Sequence, residues 1–109
     1  MDPRVPALAD QLLLIEAALR QAGLWSGTAP DPEALQSTQP FCVDTLRFEQ
    51  WLQWVLLPRM KVLLEGDLPL PAASGIQAMA EQVYVGEIGR LGRLIEALAA
   101  FDRLIGGEA

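Results

Sequence analysis

Histidine is missing from this 109-residue sequence, and cysteine occurs once, at Cys42. Without histidine there is no imidazole general base, no Ser–His or Cys–His nucleophile pair and no Glu-x-x-His metal motif. A single cysteine excludes an internal disulfide and a Cys/His zinc site. Basic residues are sparse as well: 8 Lys+Arg stand against 14 Asp+Glu, a formal net charge of −6 with a pI near 4.4. Such a chain lacks the electrostatic footprint of a phosphate-binding domain, so direct nucleic-acid binding is not expected. No apolar run approaches the roughly 18 residues of a membrane-spanning helix. The densest one, Trp54-Val55-Leu56-Leu57, ends at Pro58-Arg59. The opening Met1-Asp2-Pro3-Arg4 lacks the basic start of a signal peptide. Together with the lone cysteine, this leads us to expect a cytoplasmic protein with no membrane contact.

What is present is enough apolar sequence for one core: 51% of the residues are hydrophobic and 20% charged. Residues 4–22 repeat Val5, Leu8, Leu12, Ile15, Leu19 and Ala22 at steps of three and four, the period of a helix with one buried face. Pro6 suits its first turn, and Gly23 supplies a left-handed stop on which Leu24 or Trp25 can fold back. Residues 24–43 carry Pro30, Pro32 and Pro40 among Ser, Thr and Gly and read as a long loop pinned near its end by Phe41. A second long helix spans 44–66, with Asp44 as its N-cap and Gly66 at its end. On an ideal wheel Phe48, Trp51, Leu52, Val55, Leu56, Val62 and Leu63 share one broad face, while Leu46, Trp54, Leu57 and Leu64 form a second line. Pro58 removes one ladder bond and should kink this helix near Trp54. After the stiff Leu68-Pro69-Leu70-Pro71 connector, a short helix over 75–85 and a longer one over 86–105 complete the chain, with a break near Gly86. The expectation is an all-α fold, a small single-domain bundle of about four helices spanning 1–109, three long and one or two short.

Chemistry-bearing constellations are few. Arg59 falls within the broad apolar face, where a buried guanidinium must be paired. With Trp51 as a stacking wall it would hold an anion; alternatively Pro58 turns it to the surface, or it pairs with Asp44 or Glu96. Asp44 beside Thr45 is better suited to capping than to general-base work, since a helix N-terminus favours its ionised form. Gly86-Glu87-Ile88-Gly89-Arg90-Leu91-Gly92-Arg93 matches neither GxGxxG nor GxxxxGK[ST], and no strand precedes it. Cys42 between Phe41 and Val43 reads as a small buried hydrophobe. Glu16, Glu81, Glu87 and Glu96 are isolated and form no metal set. No catalytic residue, metal ligand or cofactor follows from the sequence.

Gln39-Pro40-Phe41, Asp44-Thr45-Leu46, Phe48, Gln50-Trp51-Leu52-Gln53-Trp54-Val55 and Pro58-Arg59-Met60 together resemble the hallmark stretch of the YqcC-like family of small bacterial proteins. The layout of an N-terminal helix, Pro-rich loop, Trp-bearing helix, Leu-Pro-Leu-Pro connector and C-terminal helical pair is similar as well. The resemblance implies an all-α cytoplasmic protein of undetermined function, and a gene commonly placed beside one for a tRNA pseudouridine synthase. It implies no catalytic residue. The large mixed sheet on which such synthases carry their catalytic aspartate has no counterpart in a short helical chain.

The function expected is therefore a non-enzymatic helical interaction module. Its candidate surface is Phe41, Asp44, Trp51, Gln53, Trp54, Leu57 and Arg59, because aromatics flanked by Gln and Arg are what interface centres look like. The partner would be a second copy, as a homodimer, or a tRNA-modifying enzyme. The alternative is small-molecule or anion binding between helices around Arg59 and Trp51.

Overall fold

Apolar residues three and four apart wind α1, Val5–Gln21, and bury Leu8, Leu12, Ile15, Ala18 and Leu19. The computed structural model describes residues 2–72 and 74–106 of the chain. Pro6 sits in the first turn of α1 as expected. The helix ends where Gly23 takes φ +76, letting the Leu24 N–H donate to the Leu19 carbonyl at 2.9 Å and the Gly23 N–H to that of Arg20 at 3.1 Å.

The next 26 positions contain two single 3₁₀ turns, Ala34–Gln36 and Pro40–Cys42, and no longer element. Helix returns as α2, Phe48–Trp51, which runs through a π-helical turn, Leu52–Leu56, into α3, Leu57–Glu65. The expected start at Asp44 is corrected. Phe41 and Cys42 hold φ of +58 and +49, which breaks the chain direction, and the helix begins only after Arg47. There the Arg47 N–H donates to Gln50 Oε1 at 2.8 Å, so the N-terminus is satisfied from within by a glutamine side chain. Asp44 instead is exposed and accepts a hydrogen bond from the Ser37 hydroxyl.

Where a kink is expected near Trp54, the helix instead carries one widened turn, in which the Leu57 N–H bonds the Leu52 carbonyl five residues back. Pro58 offers no N–H to the Trp54 carbonyl, and its ring would press on that carbonyl in a regular helix. An added residue in the turn rotates everything after it by about 100°. Accordingly Leu57 and Met60 are buried, whereas Val62, expected on the core face, is 61% exposed.

After the connector, α4, Ile76–Val83, starts at Gly75 in a left-handed conformation, φ +64. Its first turn is capped from another helix. The Asp102 carboxylate accepts from the Ile76 N–H at 3.1 Å, the Gln77 N–H at 2.8 Å and the Ser74 hydroxyl. The last helix, α5, Gly92–Ile105, begins six residues later than the expected 86, because Gly86 at φ +87 and the turn from Tyr84 to Glu87 interrupt the path. α5 is the centre of the molecule, burying Leu94, Ile95, Leu98, Phe101 and Ile105. It packs against α1 and α4, and α3 closes on α1. α1 and α5 are antiparallel: Arg4 donates to the carbonyls of Leu104 and Ile105, both at 2.9 Å, and at the other end Arg93 donates to Gln21 Oε1 at 3.1 Å. Among the described residues there is no strand, and the all-α bundle expected from the sequence is the fold observed.

Candidate functional site

Four aromatic rings from three segments meet where the 41–47 turn crosses α2 and the end of α4. Phe41 stands edge-on to Trp51, centroids 4.9 Å apart, and to Phe48 at 6.0 Å. Phe48 lies nearly parallel to Trp51 at 6.1 Å and edge-on to Tyr84 at 5.9 Å. Such edge and offset arrangements each add about 0.5–1.5 kcal/mol beyond the area they bury. That packing holds Phe41 in a left-handed backbone conformation, which costs a bulky residue about 1–3 kcal/mol and persists only where its surroundings over-determine it. Tyr84 closes the group: its ring is buried and its hydroxyl donates to Glu49 Oε1 at 2.9 Å. Burial, then that bond to a carboxylate, pushes the phenol well above the ordinary tyrosine range.

Beside these rings opens a cleft of about 400 Å³, walled by Phe41, Phe48, Tyr84 and Met79 and rimmed by Arg47, Glu49 and Glu87. Val43 and Val83 stand at its mouth, 57% and 41% exposed. A depression with an aromatic floor, apolar lip and charged rim suits an apolar side chain delivered by another molecule.

Of the residues singled out in the sequence, the structure brings Phe41 and Trp51 together in this cluster. Asp44 is exposed on the same turn but bonded to Ser37. Gln53, expected on a binding surface, is buried: its Oε1 accepts the Ser26 N–H at 2.9 Å and its Nε2 donates to the Ser26 carbonyl at 2.6 Å. It therefore anchors the start of the long loop to the π turn. Leu57, expected on an uncovered line, is only 1% exposed, because the π turn rotates it into the core. Trp54 is half-buried, with its Nε1 buried and lacking a partner among the described residues. Arg59 is exposed rather than set in the apolar face, so the buried guanidinium that suggested an anion pocket with Trp51 does not exist. The same rotation after Leu56 explains it.

Sequence reasoning missed Tyr84, Glu49, Val43 and Val83. Tyr84 falls in the short helix expected over 75–85 and is given no place in the site by the sequence. The available signal was the i, i+4, i+5 spacing of Met79, Val83 and Tyr84 at the end of α4, which puts all three on neighbouring faces. Among the described residues no cluster of His, Cys, Asp or Glu could hold a metal ion, and no helix is long and apolar enough to cross a membrane.

A family model described as "tRNA pseudouridine synthase C" matches residues 7–104. The "Uncharacterized protein YqcC" of Escherichia coli strain K12 is 36% identical over 99 residues, 91% of either chain. An uncharacterized protein of Haemophilus influenzae is 37% identical over 90 residues, 83% of this chain and 84% of that one. A stretch of 57 residues, 52% of this chain, is 53% identical to a part of the tRNA pseudouridine synthase C of Pectobacterium carotovorum subsp. carotovorum that makes up 15% of that protein. In three dimensions the solution NMR structure of E. coli YqcC superposes with a TM-score of 0.85 at 33% identity, covering 99% of this chain and 92% of that one. The matches in sequence and in fold both run over nearly the whole chain, and the chain belongs to the YqcC-like family.

Proposed function

We propose that this chain is a non-enzymatic interaction module whose cleft at Phe41, Phe48 and Tyr84 receives an apolar side chain of a tRNA pseudouridine synthase. The observation that carries the reading is the pairing of a rigid aromatic floor with exposed apolar residues at the cleft mouth, Val43 and Val83. Buried aromatics surrounded by adaptable apolar contacts are where binding energy concentrates in protein interfaces. The choice of partner is supported by the 57-residue likeness to a segment within a protein named as a tRNA pseudouridine synthase C. The non-enzymatic part of the proposal rests on the sequence, which has no histidine to serve as a general base.

The test is titration calorimetry of the purified chain against the pseudouridine synthase of the same organism, with Val83→Asp as the variant. Binding by the wild type, weakened at least tenfold (about 1.4 kcal/mol) by Val83→Asp at unchanged helicity, is the expected result. No heat with the wild type, or equal affinity of the variant, overturns the partner or the site respectively. Pseudouridine formed in tRNA by the purified chain alone would overturn the non-enzymatic role.

A further inference from the structure

The groove between α1 and α5 shares no lining residue with the aromatic cleft. It encloses about 530 Å³ over a floor of Ala18, Ala97 and Ala100, with Leu14 standing 53% exposed beside it. Leu13, next along α1, is 66% exposed. Small residues on two packed helices leave a notch into which another helix pair can settle. The charges on α5 indicate whose pair that is. Glu96 and Arg103 both line the groove and are exposed. They stand seven residues apart, two turns and about 10 Å along one face. Neither has an ion-pair partner among the described residues, so both charges are available to another molecule.

We propose that this groove is the interface of a homodimer, with a second copy of the chain as its occupant. A two-fold axis crossing α5 between Ala99 and Ala100 sets each Glu96 against Arg103 of the other copy, so one patch supplies both halves of two ion pairs. That self-complementarity is what an isologous contact requires. The alanines between the charges let the two α5 backbones approach, and each Leu14 seats in the notch formed by Ala97 and Ala100 across the axis. The α1–α5 pairs of two copies then make a four-helix arrangement.

Light scattering across a dilution series, from low micromolar to millimolar, reads the mass. The wild type is expected to rise from the 11.9 kDa of one chain toward twice that value. Glu96→Arg and Arg103→Glu each place like charges against each other in a homodimer and should move the midpoint at least tenfold upward. An equimolar mixture of those two variants restores both opposite-charge pairs in a heterodimer and should return to the wild-type midpoint. Leu14→Glu, also at an exposed position, should stay monomeric with unchanged helicity and serves if either charge variant misfolds. A wild type that keeps the mass of one chain throughout overturns the proposal, as do charge variants that dimerise like the wild type or a mixture that fails to recover.

Discussion

Gln53 shows how a polar side chain can look like a contact residue in sequence and turn out to be a fastener. Among the described residues it is the buried polar side chain, 6% exposed, and both ends of its amide are used on the backbone of Ser26. Those two bonds fix the point where the long loop leaves α1 and crosses the π turn. Replacing Gln53 with Ala leaves the Ser26 N–H and carbonyl without partners in a partly buried place, which costs about 1–3 kcal/mol. Urea unfolding should therefore show a lower midpoint for Gln53→Ala with an unchanged slope. A wild-type midpoint would mean that water replaces the amide at no cost. The residue itself was conspicuous in the sequence, lying between Trp51 and Trp54. Its partner was not, because a backbone group 27 positions away leaves no trace in residue spacing.

At the level of elements, α1 was readable because nothing interrupts its period, and the spacing of Leu8, Leu12, Ile15 and Leu19 translates directly into burial. The second long helix was readable only as far as Leu56. A wheel drawn at a constant 100° cannot anticipate an added residue, and the placements of Leu57, Arg59 and Val62 beyond it inherited the error, whereas Leu63 packs on the core and Gly66 ends the helix as expected. Pro58 marked the place of the disturbance but not its form. α4 depends on a different kind of remote information. Eight residues form a marginal helix on their own, and the N-terminal amides of this one are satisfied by Asp102 from α5. Loss of a capping carboxylate costs about 0.5–2 kcal/mol. Asp102→Ala should thus raise amide hydrogen exchange across Ile76–Val83 well beyond any change in α1. Uniform loss of protection in both helices would show that α4 does not open separately. Since Tyr84, Val83 and Met79 come from this helix and its end, the cap also holds one wall of the aromatic cleft.

For the molecule as a whole, the sequence disclosed which residue types were available and therefore which chemistries were not. The candidate site was half legible: Phe41 and Trp51 were picked out by aromatic density, but Tyr84 joins them only because α4 folds back beside α2, a long-range pairing that local pattern does not encode. That pairing makes a global pH dependence. Tyr84 is the chain's single tyrosine, and its neutral phenol is favoured in the folded state by burial and by its bond to Glu49. A group whose folded pKa is raised contributes stability that is complete below its unfolded pKa, about 10 for tyrosine, and is lost as pH climbs beyond it. The wild type should therefore lose stability to urea above about pH 10 faster than Tyr84→Phe, which cannot ionise there. The two proteins differ only by the Tyr84 hydroxyl, so the difference between the two curves belongs to Tyr84. Ultraviolet absorbance of the phenolate provides the decisive reading. In the folded chain it should appear only together with loss of helicity, since ionisation has to wait until the contact between α2 and α4 opens. Phenolate forming near pH 10 with the helices intact would mean that the ring is reached by water in the native fold, and the cleft would then lack the dry aromatic floor on which its proposed partner rests.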